Sequence, residues 1–120
     1  MAPTLEQVQT WFDEYNSLVF HDMLLSVQFS FTNNRRQLGQ FWWKDYGRQK
    51  GIKISLYWER NEEQYRNTLL HEMCHLYCYY QGWWTENHGK RWKTLADYAG
   101  KLTGMEITCS TNIEGWVPRS

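Results

Sequence analysis

His71-Glu72-Met73-Cys74-His75 reads H-E-x-x-H inside the apolar run from Thr68 to Tyr77. On a helix, positions i and i+4 lie one turn apart on one face. His71 and His75 can therefore bring two imidazoles to a single metal ion, with Glu72 beside them, near enough to reach a water bound to it. Two histidine nitrogens, a third ligand from elsewhere, an open position for water and a carboxylate to take its proton form the arrangement of a zinc hydrolase. Three fixed letters in five recur by chance, so the flanking residues must supply the helix. Asn61 is placed to cap, Glu62 and Glu63 suit the positive end of the helix dipole, and Gly82 is placed to close the C-terminus. Leu69, Met73, Leu76 and Tyr80 recur at helical spacing and predict a buried side. Two histidines and a glutamate in so apolar a run are costly to bury without a metal or partners.

The third ligand is sought downstream. His88-Gly89-Lys90-Arg91-Trp92 opens a second helix on which His88, Trp92, Leu95, Ala99 and Leu102 share a face, with Asn87 placed to cap it and Gly104 to end it. A histidine at the first turn of a helix packed on the metal helix is the expected third ligand. Glu86 and Glu106 are the rival carboxylates. The metzincin pattern needs a glycine at position 78 and a histidine at position 81, and Cys78 and Gln81 exclude it.

These elements need a scaffold. Thr4-Leu5-Glu6-Gln7 has the form of a capping box, followed by an apolar stripe of Leu5, Val8, Phe12, Tyr15 and Val19 widened by Trp11 and Leu18, which predicts a helix over 4–20. Val27, Phe29 and Phe31 alternate with polar residues as a half-buried strand. Leu38 to Trp43 predicts a second strand in which Gly39 marks a bulge or a close backbone approach. Ile52, Ile54 and Leu56 predict a third. Either of the last two strands offers an edge on which an extended substrate can pair.

The chain has 120 residues, enough for one compact domain, expected over 1–120 with a core at about 5–105 and a short tail over 106–120. Thirteen basic and thirteen acidic residues cancel, which excludes the strongly basic balance of a dedicated nucleic-acid binder. A local excess remains over residues 31–53, where Arg35, Arg36, Lys44, Arg48, Lys50 and Lys53 face only Asp45. Aromatic residues make up 18% of the chain, with eight Trp and eight Tyr, more than one small core can hold. Trp42, Trp43, Trp83 and Trp84 are accordingly candidate walls of a substrate cleft. Cys74, Cys78 and Cys109 are too few for a disulfide framework, and Cys74 and Cys78 read as reduced core residues. No signal peptide or membrane-length apolar run is seen, so a soluble intracellular protein, with no membrane partner and monomeric, is expected.

Several pieces in one order resemble the SprT-like metalloprotease family. They are Trp11 and Asn16 on the first helix, Phe20 before Leu24, Arg36-Gln37-Leu38-Gly39 opening a strand, Ile52-Lys53-Ile54-Ser55 before the catalytic helix, the run Thr68 to His75, and His88-Gly89-Lys90-Arg91-Trp92 in the place of the family's H-G-x-x-F/W. The resemblance spans about residues 5–105. It implies a small α+β, zincin-like domain with an N-terminal helix, a three-stranded sheet, an active-site helix and a second helix bearing the third ligand. It implies one Zn2+ held by His71, His75 and His88, with Glu72 as general base or acid. Members similar to this chain, Spartan among them, cleave proteins crosslinked to DNA, which implies a cytoplasmic, nucleoid or nuclear setting and nucleic acid as a partner. Only Cys109 follows the catalytic helices, so no zinc ribbon is expected and the implied link to DNA is weakened. The competing expectation is a non-catalytic zinc module associated with nucleic acid or chromatin. A fourth protein ligand such as Cys109 would mark it.

Overall fold

The computed structural model describes residues 1–120 as three helices and a three-stranded mixed sheet. Helix α1 spans Leu5–Phe20 and starts on the expected capping box, with Thr4 and Gln7 exchanging side-chain and backbone hydrogen bonds. Its buried stripe is Val8, Trp11, Phe12, Tyr15 and Val19, joined by Asn16 and Phe20, whereas Leu5 and Leu18 are half exposed on the outer side. Leu5 belongs to the first turn and Leu18 lies off the stripe, so neither is covered by the layer beneath. Asn16 is buried because its amide donates to the Leu24 carbonyl at 2.7 Å and accepts from the Leu24 amide at 3.0 Å, tying down the turn that leaves the helix. Helix α1 packs on α2, α3 and the first strand together.

The strands are β1 (Gln28–Thr32), β2 (Gly39–Lys44) and β3 (Gln49–Ser55), in the order β1-β3-β2. Strand β3 is central, parallel to β1 and antiparallel to β2. It therefore has no free edge, and of the two strands expected to offer one to a substrate only β2 does. Ile52 and Ile54 of β3 are fully buried beneath the helices, while Gln28, Ser30, Gln40 and Lys44 lie exposed on the strands' other side.

Helix α2 (Glu62–Tyr80) begins with a second capping box, in which Asn61 and Gln64 bond reciprocally at 2.8 Å, and the chain turns away at Gly82 with φ +81°. Leu69, Leu70, Met73, Cys74 and Leu76 are completely buried, but Tyr80 sits at the exposed end of the helix and does not continue the core stripe. Helix α3 (Lys90–Thr103) ends on Gly104 in the left-handed conformation, as its sequence predicts. Its start differs from expectation. Gly89 occupies the N-cap, and the Glu86 carboxylate, rather than Asn87, accepts from the amides of Arg91 and Trp92 at 2.8 and 3.4 Å. Trp92, Ala96 and Ala99 of α3 are buried, whereas Leu102 is 40% exposed. No helix is long and apolar enough to cross a membrane.

The segment after α3 returns across the molecule. Ile107 is buried in the core, Trp58 and Pro118 form an isolated antiparallel bridge, and the Glu59 and Arg119 amides bond to the carbonyls of Val117 and Tyr57. Parts of the segment expected as a short tail thus touch the body of the fold, while most of its residues stay exposed.

Candidate metal centre

His71 and His75 project from consecutive turns of α2, and His88 enters from the approach to α3, one residue before its N-cap. Their Nε2 atoms converge: His88 lies 3.1 Å from His71 and 3.1 Å from His75. Two zinc–nitrogen bonds of about 2.0–2.1 Å at a tetrahedral angle put the nitrogens roughly 3.3 Å apart. The three rings thus have the donor type, number and spacing that a single tetrahedral ion with an open fourth position requires. Neither rival carboxylate belongs to the cluster, which holds the three histidines alone. The Glu86 carboxylate caps α3, and Glu106 is an exposed residue whose backbone carbonyl accepts from the Asn67 side chain at 2.8 Å. Cys109 lies exposed on the cleft wall, outside the ligand cluster.

Several groups hold the imidazoles in place. The His71 Nδ1 faces the Thr108 carbonyl at 2.9 Å, so an Nδ1–H donor there leaves Nε2 free as the metal-facing acceptor. Trp92 forms the floor. Its ring centroid lies 4.6 to 5.4 Å from those of all three histidines and is stacked under His75 at 27°. Burial pushes His71 down to about 4 and His75 to about 3, assisted by the neighbouring imidazoles, and lowers His88 as well. All three are therefore neutral at pH 7, as metal ligation demands.

Glu72 is 6% exposed, with one carboxylate oxygen accepting from the Phe41 amide of β2 at 2.9 Å and the other 3.9 Å from His71 Nε2. Because His71 is neutral, that approach is no ion pair. Desolvation raises Glu72 to about 8, against the lowering effect of the Phe41 amide. A divalent cation on the adjacent imidazoles acts in the same direction as that amide, favouring the carboxylate. Gly39 explains how β2 comes so near: a Cβ there would stand 2.5 Å from the Thr68 methyl and 3.2 Å from Glu72 Oε2. This is the close backbone approach that a glycine inside a strand pattern implies.

Buried Arg60 fixes the register of these parts. Its guanidinium donates to Thr68 Oγ1 of α2 at 2.7 Å, to the Leu38 carbonyl at 3.3 Å and to the Ser55 carbonyl, and lies over the Tyr65 ring at 4.4 Å. Desolvation lowers it to about 10, leaving it cationic at neutral pH, so its compensation comes from carbonyl dipoles and a ring face rather than a carboxylate.

The histidines and Glu72 open onto two adjoining hollows of about 440 and 330 Å³ that share Gln37, Gly39, His71, Glu72 and His88. Trp43, Trp83 and Trp84 line the first hollow. Trp42 lies on the opposite side of β2, flat against Gly51, with the ammonium groups of Lys44 and Lys53 5.7 and 5.9 Å from its ring. Sequence reasoning missed the Thr108 carbonyl, the Phe41 amide, the Trp92 floor, the Glu86 cap and Arg60. The motif position of Trp92 was the one available signal among them.

The family model described as the SprT-like family matches residues 8–111, which runs from within α1 through the last helix to the segment carrying Thr108. No curated protein matches the chain.

Proposed function

The chain belongs to the SprT-like family, and from that premise we propose that it is a zinc-dependent metallopeptidase that hydrolyses peptide bonds of protein substrates. The observation that carries this reading is the convergence of three neutral imidazole nitrogens beside a buried carboxylate in an open cleft. His71, His75 and His88 would hold the ion, which when bound supplies Lewis-acid polarisation of a peptide carbonyl and acidifies water.

The chain's own residues do the rest. Glu72 takes a proton from the attacking water as its oxygen adds to the carbonyl carbon. As the carbon–nitrogen bond breaks, Glu72 returns that proton to the departing amine. The Phe41 amide holds one Glu72 oxygen, which leaves the other turned toward the histidines. Strand β2 positions the substrate. The Ser55 amide bonds to the Leu38 carbonyl, so by antiparallel alternation Gln40, Trp42 and Lys44 turn their backbone groups to β3, while the free edge carries the backbone groups of Gly39 and Trp43 and the Phe41 carbonyl, the Phe41 N–H being donated to Glu72. An extended peptide can add there as a further strand. Substrates are therefore unfolded or extended protein segments, and DNA-associated proteins are one class to test. A closed, non-catalytic zinc site is disfavoured, since Cys109 stands outside the cluster and a structural site has no use for Glu72.

The test is zinc per chain in wild type and His88→Ala, with hydrolysis of an unfolded protein by wild type and Glu72→Gln. We expect one zinc in the wild type, weakened binding in His88→Ala, and turnover lost with zinc retained in Glu72→Gln. Full zinc retention without His88, or unchanged turnover in Glu72→Gln, would refute the assignment.

A further inference from the structure

One end of the cleft is closed by three aromatic rings from different elements. Trp43 of β2 lies 5.3 Å from Tyr79 of α2 and 6.2 Å from Trp84, and Tyr79 and Trp84 stack at 6.0 Å and 19°. Phe41 adds an edge contact to Tyr79 at 5.6 Å. The Trp84 ring is held by its own Nε1–H, which donates to the Tyr79 carbonyl at 3.2 Å, although the residue is 68% exposed. Trp43 is 47% exposed. Large apolar surface thus faces the same hollow as the catalytic groups. Beyond Glu72 and the histidines, no ionisable acid or base lines that hollow except the Cys78 thiol and the Tyr79 phenol, and the Tyr79 hydroxyl is turned away, against Gly47.

The rings also lie in register with the edge strand. Phe41 is opposite Glu72 through its amide, and Trp43 is two residues further on, roughly 7 Å along the strand. Trp43 and Phe41 point their side chains to the α2 side, as their contacts with Tyr79 show. A peptide paired with β2 presents alternate side chains to that side, so one of them falls against the aromatic end wall. From this geometry we infer that the Trp43–Tyr79–Trp84 box is a specificity subsite. It selects substrates carrying a bulky apolar or aromatic side chain about two residues from the scissile bond. The inference rests on the peptidase reading, and binding can test it without turnover.

The test uses zinc-loaded Glu72→Gln protein and a set of alanine-based octapeptides with one phenylalanine moved through each position, titrated by calorimetry. Burying a phenylalanine side chain is worth roughly tenfold to a hundredfold in affinity. A gain of that order is expected at one position and not at its neighbours, and neither aspartate nor lysine there should produce it. In Glu72→Gln/Trp84→Ala the gain should fall below about threefold, and Trp43→Ala in the same background should act likewise. Equal affinity for all peptides, or a positional gain that survives loss of Trp84, would overturn the subsite. Wild-type protein incubated with the same peptides reports separately on hydrolysis. Failure to cut them would sink the peptidase reading while leaving the binding result to judge the box.

Discussion

Gly39→Ala is a perturbation whose size can be worked from distances. The backbone there is one that any residue adopts, so the cost is contact and not torsion. The new methyl would lie 2.5 Å from Thr68 Cγ2, more than 1 Å inside an ordinary carbon–carbon contact, and 3.2 Å from both Glu72 Oε2 and the Lys53 carbonyl. Thr68 cannot swing away freely, because its hydroxyl accepts from buried Arg60 at 2.7 Å. Strand β2 must therefore lift off α2 at the point where Phe41 holds Glu72. Overpacking of this kind costs about 1–3 kcal/mol, and lifting β2 should lower turnover more than it lowers zinc affinity, since no ligand sits on that strand.

The assay is a double-mutant cycle with Thr68→Ser, which removes Cγ2 and keeps the hydroxyl. Alone it should cost about 0.5–1.5 kcal/mol, as for loss of one buried methyl. Combined with Gly39→Ala it should recover about 1 kcal/mol or more, a coupling well beyond the roughly 0.3–0.5 kcal/mol expected of independent sites. Gly82→Ala serves as the contrast: its φ of +81° with nothing within 4 Å predicts a torsional cost of about 1–2 kcal/mol and no effect on turnover. Additivity of Gly39→Ala and Thr68→Ser in urea denaturation, or wild-type turnover in Gly39→Ala, would refute the close-approach argument.

Asn67→Ala removes the bond that holds the Glu106 carbonyl, loosening the segment that carries the Thr108 acceptor for His71; zinc affinity should drop about tenfold by competition titration while the denaturation midpoint moves little. Arg60→Lys keeps the charge but loses the fork that spans Thr68, Leu38 and Ser55, so it should cost about 2 kcal/mol or more, and equal stability of the two proteins would count against Arg60 as the register lock. In chelator-treated protein, stability should peak at about pH 6.5, where the protons refused by the two histidines balance the one held on Glu72. Below the peak the unfolded chain, with histidines at 6.5, binds protons that His71 at about 4 and His75 at about 3 refuse, so stability is lost as pH falls. Above it the folded chain holds a proton on Glu72, raised to about 8, that the unfolded chain releases near 4.5, so stability is lost as pH rises. Urea midpoints across pH 5 to 8 should show both limbs, and Glu72→Gln should flatten only the upper one.

What could be read in advance was local. The Thr4–Gln7 capping box, the Asn61 cap, the Gly104 stop and the i, i+4 pair His71 and His75 each lie within one element, where spacing alone sets geometry. His88 was also legible, because the turn that delivers it is short and the helix behind it carries its own apolar face. The exposed ends of the stripes, Leu5, Tyr80 and Leu102, were misplaced for the complementary reason. Periodicity says which side of a helix is apolar, but not how far the covering layer extends along it. The helix α3 start was misread because Asn87, at φ +47°, is used to turn the chain while a longer carboxylate one residue earlier reaches the free amides. The strand order was beyond reach of the local pattern. Three strands of similar length admit several orders, and only pairing with β1 on its far side denies β3 an edge.

The parts of the site that stayed hidden are mostly backbone. His71 is oriented by the Thr108 carbonyl and Glu72 by the Phe41 amide, and any non-proline residue in either place supplies the same atoms. A motif records side chains, so it captures the ligands and the base but not the groups that aim them. What the sequence can record is the room those backbones need. Gly39 lets β2 descend to within hydrogen-bonding distance of Glu72, and Gly89 leaves space for the Glu86 carboxylate, which a Cβ would meet at 2.4 Å. Gly39 stands on β2 beside Glu72, and Gly89 directly follows His88 at the start of α3. Thus the side chains missing at Gly39 and Gly89 position the centre as surely as those present at His71, Glu72, His75 and His88.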